Sequence, residues 1–253
     1  MAAVNRAGEI LLLHLDQAKE IHHKGRGNIV TEVDLLVEKE VVALLQGEFP
    51  GHGILAEEST PSPGSTPWTW VIDPLDGTRN YASGIPFFAV NLALAREEEV
   101  LLGLTYDPVR KELFSASKGG GAFLNGQPLH VSDKTTVQAS VMGFDMGYHN
   151  ERARQALELI VSLWPGMQSI RVMGSAALGL AYAACGRLDL YFHHNLAPWD
   201  LASGLLLVAE AGGTITDRLG QPVSLRSDGA IAANPTLHAD FRHLSQGHPW
   251  GLA

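Results

Sequence analysis

Cysteine is nearly absent from this chain. Cys185 is the single one in 253 residues. An internal disulfide is therefore excluded, and the usage suits a reducing, cytoplasmic setting. Positive charge is also scarce: 18 Lys and Arg stand against 27 Asp and Glu, a formal net charge of −9. That balance disfavours non-specific binding to nucleic acid or to an anionic membrane surface. No apolar run reaches the length that crosses a bilayer. The start, Met1 to Arg6 and then Glu9, lacks the basic opening and cleavage site of a signal peptide. Gly119-Gly120-Gly121 lacks the spacing of a dinucleotide fingerprint or a Walker loop, which excludes a nucleotide cradle there. What is present is ordinary globular composition, 45% hydrophobic and 18% charged, with length for a large core in one domain or two.

The most informative stretch is Trp70-Val71-Ile72-Asp73-Pro74-Leu75-Asp76-Gly77-Thr78-Arg79-Asn80-Tyr81. Val71 and Ile72 read as the end of a buried strand. Pro74 fixes its own φ and pushes Asp73 towards extended geometry, so the chain bends with both carboxylates near the bend. Gly77 permits positive φ, and Thr78 can open a short helix whose backbone N–H groups attract a phosphate. Two hard oxygen donors beside an anion site are what Mg²⁺ bound with a phosphate requires.

Around that stretch the periodicity predicts a helix over 2–20, with Ile10, Leu13 and Ala18 inward. A solvated basic loop over 22–27 follows. A second helix carries the stripe Val33, Val37, Val41, Leu44 and Leu45, and Thr31 with Asp34 fits a variant capping box. A strand over 53–56 delivers Glu57 and Glu58, which on extended chain face opposite ways. Phe88, Val90, Leu92 and Leu94 alternate along a strand, Glu97 to Glu99 reads as a hairpin turn, and strands follow over 100–106 and 112–117. Small polar residues place a boundary near Gln138. Beyond it strands over 141–144, 168–172, 188–192, 214–216 and 230–232 alternate with helices over 151–163, 176–185 and 201–211. The fold class expected is an α+β half over 1–137 followed by an α/β half over 138–253. Gly174-Ser175-Ala176-Ala177 opens a helix after a strand, where N–H groups can meet a substrate hydroxyl or phosphate. Asn91 reads as a satisfied core amide and Trp199 as a buried platform. Asp189 and Asp217 read as strand-end and turn residues.

Asp73-Pro74-Leu75-Asp76-Gly77-Thr78 resembles a signature of the inositol monophosphatase family, Mg²⁺-dependent and lithium-sensitive phosphatases. Trp199-Asp200-Leu201-Ala202-Ser203-Gly204, Glu210-Ala211-Gly212-Gly213, Glu57-Glu58-Ser59 and the stretch from Asn28 to Asp34 extend the resemblance over nearly the whole chain. The resemblance implies stacked α-β-α-β-α layers with the site between two halves. It implies two or three Mg²⁺ ions held by Glu57, Asp73, the Leu75 carbonyl, Asp76 and Asp200, with Asp73 bridging two of them. It implies a catalytic set of Asp34, Glu57 and Thr78, in which Thr78, hydrogen-bonded to Asp34, orients the attacking water. The N–H groups of Gly77 and Thr78 would hold phosphate, Gly174, Ser175 and Ala176 would line the substrate pocket, and Lys24 or Arg26 would approach the phosphate. The implied partner is a small phosphorylated metabolite, with a homodimer as the assembly and neither membrane nor nucleic acid involved. One position departs from the pattern: His193 stands seven residues before Asp200, where many members carry a glutamate that binds sugar hydroxyls. Substrate choice therefore stays open among inositol phosphate, other polyol and sugar phosphates, fructose bisphosphate, histidinol phosphate and nucleotide 3′-phosphates. A regulatory role on transcription machinery is the alternative of another class, and the filled ligand positions argue against it as the sole role.

Overall fold

The computed structural model describes residues 1–17, 19–25 and 28–251. Helix α1 (Ala2–His14) buries Ala3, Val4, Ala7, Ile10 and Leu11, a helical stripe. It ends earlier than the periodicity predicts, because Leu13 points outward, 69% exposed. Ala18 and Arg26 lie outside the described residues. The expected basic loop is instead a hairpin of β1 (Ile21–His23) and β2 (Ile29–Thr31), with every β1 residue exposed. Helix α2 (Glu32–Glu48) buries Val33, Val37, Val41 and Leu45, while Leu44 stays 39% exposed.

A first sheet runs in sequence order: β3 (Gly53–Ala56), β4 (Trp68–Asp76), β5 (Ala89–Arg96), β6 (Glu99–Asp107), β7 (Glu112–Ser117), β8 (Gly121–Leu124) and β9 (Gln127–Pro128). Strands β3 and β4 are parallel and the rest antiparallel. A short helix α3 (Thr78–Ala82) links β4 to β5. The second sheet contains β10 (Val141–Phe144), β11 (Ser169–Val172), β12 (Leu190–His193), β13 (Thr214–Thr216) and β14 (Ala230–Ala233), in the order β11-β10-β12-β14-β13. Helices α4 (Asn150–Leu163), α5 (Ala176–Ala184), α6 (Pro198–Glu210) and α7 (Pro235–Leu244) complete the fold, and α7 has no counterpart among the expected elements.

Three apolar clusters define five layers. Helices α1 and α2 cover one face of the first sheet. Helices α5 and α6 fill the space between the two sheets. Helices α4 and α7 cover the far face of the second sheet, around Phe144, Phe192, Phe241 and Trp250. Strand β5 serves two layers by its period of two: Val90, Leu92 and Leu94 face α1 and α2, and the small Ala89, Ala93 and Ala95 face α5 and α6. Small residues let α6 lie almost on the sheet. A Cβ added to Gly103 would sit 2.9 Å from the Ser203 Cα.

A buried polar knot fixes this contact. Asn91 Nδ2 donates to the Trp199 carbonyl at 2.5 Å, and its Oδ1 accepts from the hydroxyls of Thr105 and Ser203. Asn91 is thus the satisfied core amide expected, and it fastens the start of α6 to the first sheet. Trp199, expected to be buried, is half-buried at the edge of the middle layer. Asp189 accepts from the Val141 N–H and Asp217 closes a turn on Leu219 and Gln221, both as expected. Glu210 accepts from the N–H groups of Gly119 and Gly121, so the glycine-rich turn is filled by a carboxylate of the chain itself.

Candidate active site

Strand β4 does not stop at Asp73. It runs to Asp76, with its register against β5 shifting between the two aspartates. Pro74 sits in that irregularity, where a residue without an N–H is tolerated. The bulge turns both carboxylates to one place. Asp73 Oδ1 accepts from the Leu75 N–H at 3.0 Å. Gly77, at φ 93°, then turns the chain into α3. Asp200 arrives from the opposite side, in the first turn of α6 behind Pro198, and accepts from the Ala197 N–H at 2.7 Å.

One carboxylate oxygen each from Asp73, Asp76 and Asp200 lie within 4.8 Å of one another. Burial, together with Glu57, Asp76 and Asp200, holds the Asp73 carboxyl well above the usual range. Burial and Asp76 do the same to Asp200. Asp76 is pushed to about 6 by burial, although Ser175 and the backbone of Ala177 and Ala176 pull it down. Crowded carboxylates without a neutralising charge are costly in an interior. A hard divalent cation relieves that cost, and an all-oxygen donor set fits one.

Thr78 follows on α3. Its hydroxyl lies 2.9 Å from Asp34 Oδ1 and 3.0 Å from the Leu75 carbonyl. Asp34 Oδ2 accepts from the N–H and the hydroxyl of Thr31, which makes the predicted capping box. Asp34 therefore both caps α2 and holds Thr78. Burial raises its pKa against the pull of these hydrogen bonds.

Glu57 is not within that 4.8 Å group, though its charge acts on Asp73. The chain bends after β3, so Glu57 and Glu58 do not alternate as they would on a strand. Both meet Lys24 Nζ, at 3.0 and 2.5 Å. Glu58 has a buried side chain and is pushed by that burial to about 7. Lys24 reaches these carboxylates across the β1–β2 hairpin.

A cleft of about 210 Å³ opens beside the aspartates, lined by Asp76, Gly77, Thr78, Gly174, Ser175, Ala176, His193 and Asp200 among others. The donors at the start of α5 are not free for a ligand, as the sequence suggested. The Ser175 hydroxyl and the N–H groups of Ala176 and Ala177 all donate to Asp76. The Gly174 N–H donates to Asp145. His193 ends β12 and is buried, 5% exposed. Its Nδ1 accepts from the Asn195 N–H at 3.0 Å, which leaves the proton on Nε2. Burial lowers its pKa to about 3, so the protonation near 6.5 that a surface histidine would show is absent. Arg79, Asn80, Asp145, Tyr148 and Asn195 also line the cleft and were not singled out by sequence. Asp145 had one available signal: a charged residue directly after a parallel strand, where α/β sheets bind ligands.

A model of the family described as "Inositol monophosphatase family" matches residues 1–248. An inositol monophosphatase of Dictyostelium discoideum is 36% identical over 92% of this chain and 89% of its own length. A Nus factor SuhB of Xylella fastidiosa is 40% identical over 86% of this chain and 80% of its own. The crystal structure of the extragenic suppressor protein suhB of Bartonella henselae superposes with a TM-score of 0.93 at 34% identity, covering 97% and 96% of the two chains. With Asp73, Asp76 and Asp200 brought together beside that cleft in the same fold, the chain belongs to the inositol monophosphatase family, metal-dependent hydrolases of phosphate monoesters.

Proposed function

We propose that this phosphomonoesterase hydrolyses a small polyol or sugar phosphate with Mg²⁺, and that the convergence of Asp73, Asp76 and Asp200 carries the reading. Asp73, Asp76, Asp200, Glu57 and the Leu75 carbonyl would hold two or three ions. When bound, the ions supply Lewis acidity and lower the pKa of water. Glu57 would exchange its contact with Lys24 for this role, while Lys24, still held by Glu58, turns its remaining N–H groups to the phosphate. Thr78 donates its proton to Asp34 and presents its lone pair to the attacking water. As water adds to phosphorus, the ester P–O bond breaks and the alcohol oxygen leaves, taking up a proton from solvent; the water proton passes to Thr78 Oγ and the Thr78 proton to Asp34. The raised pKa of Asp34 favours that acceptance. The N–H groups of Gly77 and Thr78 hold phosphate oxygens, and Gly174, Ser175, Ala176 and His193 shape the substrate wall. A neutral His193 that donates through Nε2 suits a hydroxyl better than a second anionic group, which favours polyol phosphates over bisphosphates and nucleotide 3′-phosphates.

The test is phosphate release from a panel of phosphomonoesters with and without Mg²⁺, repeated with lithium and with Asp73→Asn. Release that depends on Mg²⁺, is inhibited by lithium and falls at least about 10²-fold in the variant supports the reading. Near wild-type turnover by Asp73→Asn at saturating Mg²⁺ would sink the two-metal assignment.

The assembly proposed is a homodimer of cytoplasmic chains built from halves 1–137 and 138–253. Edge strand β11 and neighbouring α4 expose Val172, Val161 and Trp164 at 58%, 73% and 60%. These exposed apolar side chains would suit a contact face between copies. Light scattering on the eluted protein reads the mass directly, and a monomer at micromolar concentration would refute the dimer.

A further inference from the structure

We propose that Asp145 is a specificity-determining residue of this site. Its carboxylate accepts a hydrogen bond from a hydroxyl of the substrate's polyol part, beside the His193 ring that donates one. The assignment rests on the phosphomonoesterase reading and names which part of the ester is recognised, and by what.

Asp145 directly follows β10, and the register pairs Phe144 with Phe192. Asp145 and His193 therefore leave two adjacent parallel strands at the same level. Both line the cleft that holds Asp76, Thr78 and Asp200. The residue is 7% exposed, and its carboxylate is held from two sides. Oδ1 accepts from the Gly174 N–H at 2.6 Å, and Oδ2 accepts from the Tyr191 hydroxyl at 2.8 Å. The backbone of Met173 also acts on this carboxylate, and of the four lone pairs on its two oxygens at least one remains for a donor in the cleft.

The surrounding wall is fixed before any ligand arrives. Gly147, at φ 54°, passes so close to Asn195 that an added Cβ would meet its Cβ at 2.8 Å. The Tyr148 N–H reaches Asn195 Oδ1, and His194 Nε2 lies 3.0 Å from the Met146 carbonyl. The Asn195 N–H in turn sets the His193 tautomer. The cleft thus presents a preset acceptor and a preset donor side by side. A hydroxyl pair, in which each oxygen donates and accepts, satisfies both; a phosphate oxygen satisfies only the donor.

The experiment compares inositol 1-phosphate, its mono-deoxy analogues and p-nitrophenyl phosphate on wild type, Asp145→Asn and Asp145→Ser. Thermal melts confirm folding. Asparagine keeps the shape, with its oxygen to Gly174 and its amide nitrogen towards Tyr191, and loses the acceptor on the Tyr191 side; serine removes both carboxylate oxygens. The ratio of kcat/KM for inositol 1-phosphate to that for p-nitrophenyl phosphate should fall about threefold to tenfold in the variants. The fall should vanish for one mono-deoxy analogue, which on wild type should itself be a poorer substrate by a similar factor. An unchanged ratio in active variants overturns the proposal and leaves Asp145 as a fastener of Gly174. Equal use of every deoxy analogue by wild type overturns it without any variant. No phosphate release from any ester by wild type would refute the phosphatase reading itself, a different failure.

Discussion

Thr78 and His193 show how one side chain can be assigned work by its partners. The Thr78 hydroxyl has two acceptors for its proton, Asp34 and the Leu75 carbonyl, so its lone pair is what it offers a water. Thr78→Ala should lower kcat about 10²–10⁴-fold with a much smaller change in KM, because the lost contact belongs to the transition state. A rise confined to KM would move Thr78 to ground-state binding. His193 makes a different prediction, on stability. Its folded pKa of about 3 lies below the unfolded value of about 6.5, so the unfolded chain binds the extra proton between them. The stability from a neutral His193 is complete above about pH 6.5 and is lost as pH falls towards 3. At pH 5 the loss is about 2 kcal/mol from this group. His194 and His238, both lowered to about 4 by burial, add losses of the same sign. Urea midpoints measured at pH 7 and pH 5 check the point. Buried carboxyls raised to about 6 or 7, Asp76 and Glu58 among them, act in the opposite sense, so the difference between proteins is the readout: the pH 5 midpoint relative to pH 7 should be higher in His193→Gln than in wild type, and an equal change in both would show that His193 does not carry it.

At the level of elements, the tightest joint is β6 against α6. Gly103→Ala forces a Cβ to 2.9 Å from the Ser203 Cα and 3.0 Å from its carbonyl, both backbone atoms that cannot swing away. Overpacking of this kind costs about 1–3 kcal/mol, read as a lower urea midpoint at unchanged m-value. An undisturbed midpoint would mean that the layer yields more easily than its contacts imply. That joint also marks what was legible in the sequence. The strands over 53–56, 141–144 and 214–216 coincide with those observed because β-branched and apolar runs bounded by turn residues leave little choice. The carboxylates near the bend at Asp73 were legible because Pro74 and Gly77 leave few ways to turn. Helix α7 was missed although Asn234 and Pro235 form a capped start, the side chain of Asn234 accepting from Thr236 and Leu237. What periodicity cannot carry is pairing over long separations. Asn91 to Trp199, Asp76 to the start of α5, and Asp145 to Gly174 are contacts between remote segments, and single residues in strands do not announce them. For the same reason the sequence offered the donors of α5 to a ligand when Asp76 already holds them.

For the whole molecule, the carboxylate site is a junction. Asp73 and Asp76 come from the first sheet, and Asp200 from the helix packed between the sheets. A cation that binds all three stabilises only the folded arrangement. Mg²⁺ at 100 times its dissociation constant should therefore add about 2.7 kcal/mol, seen as a rise in Tm that EDTA reverses. Asp73→Asn should lose most of that rise, and a Tm indifferent to Mg²⁺ in wild type would argue against metal binding at the junction. The alternation along β5 has a consequence of another kind. Its alanine side, with Gly103 and the Asn91 knot, leaves the middle slab little room to breathe, whereas α1 and α4 each lie on one face of the protein with their other side in water. Amide protons should therefore trade with deuterium from the outside inward, the outermost helices within the shortest labelling times and the amides of β5, β6 and α6 only when the molecule opens as a whole. Asp200 hangs from α6, and Asp73 and Asp76 from β4, which pairs with β5, so the three-aspartate cluster should persist through every partial opening that leaves the slab intact.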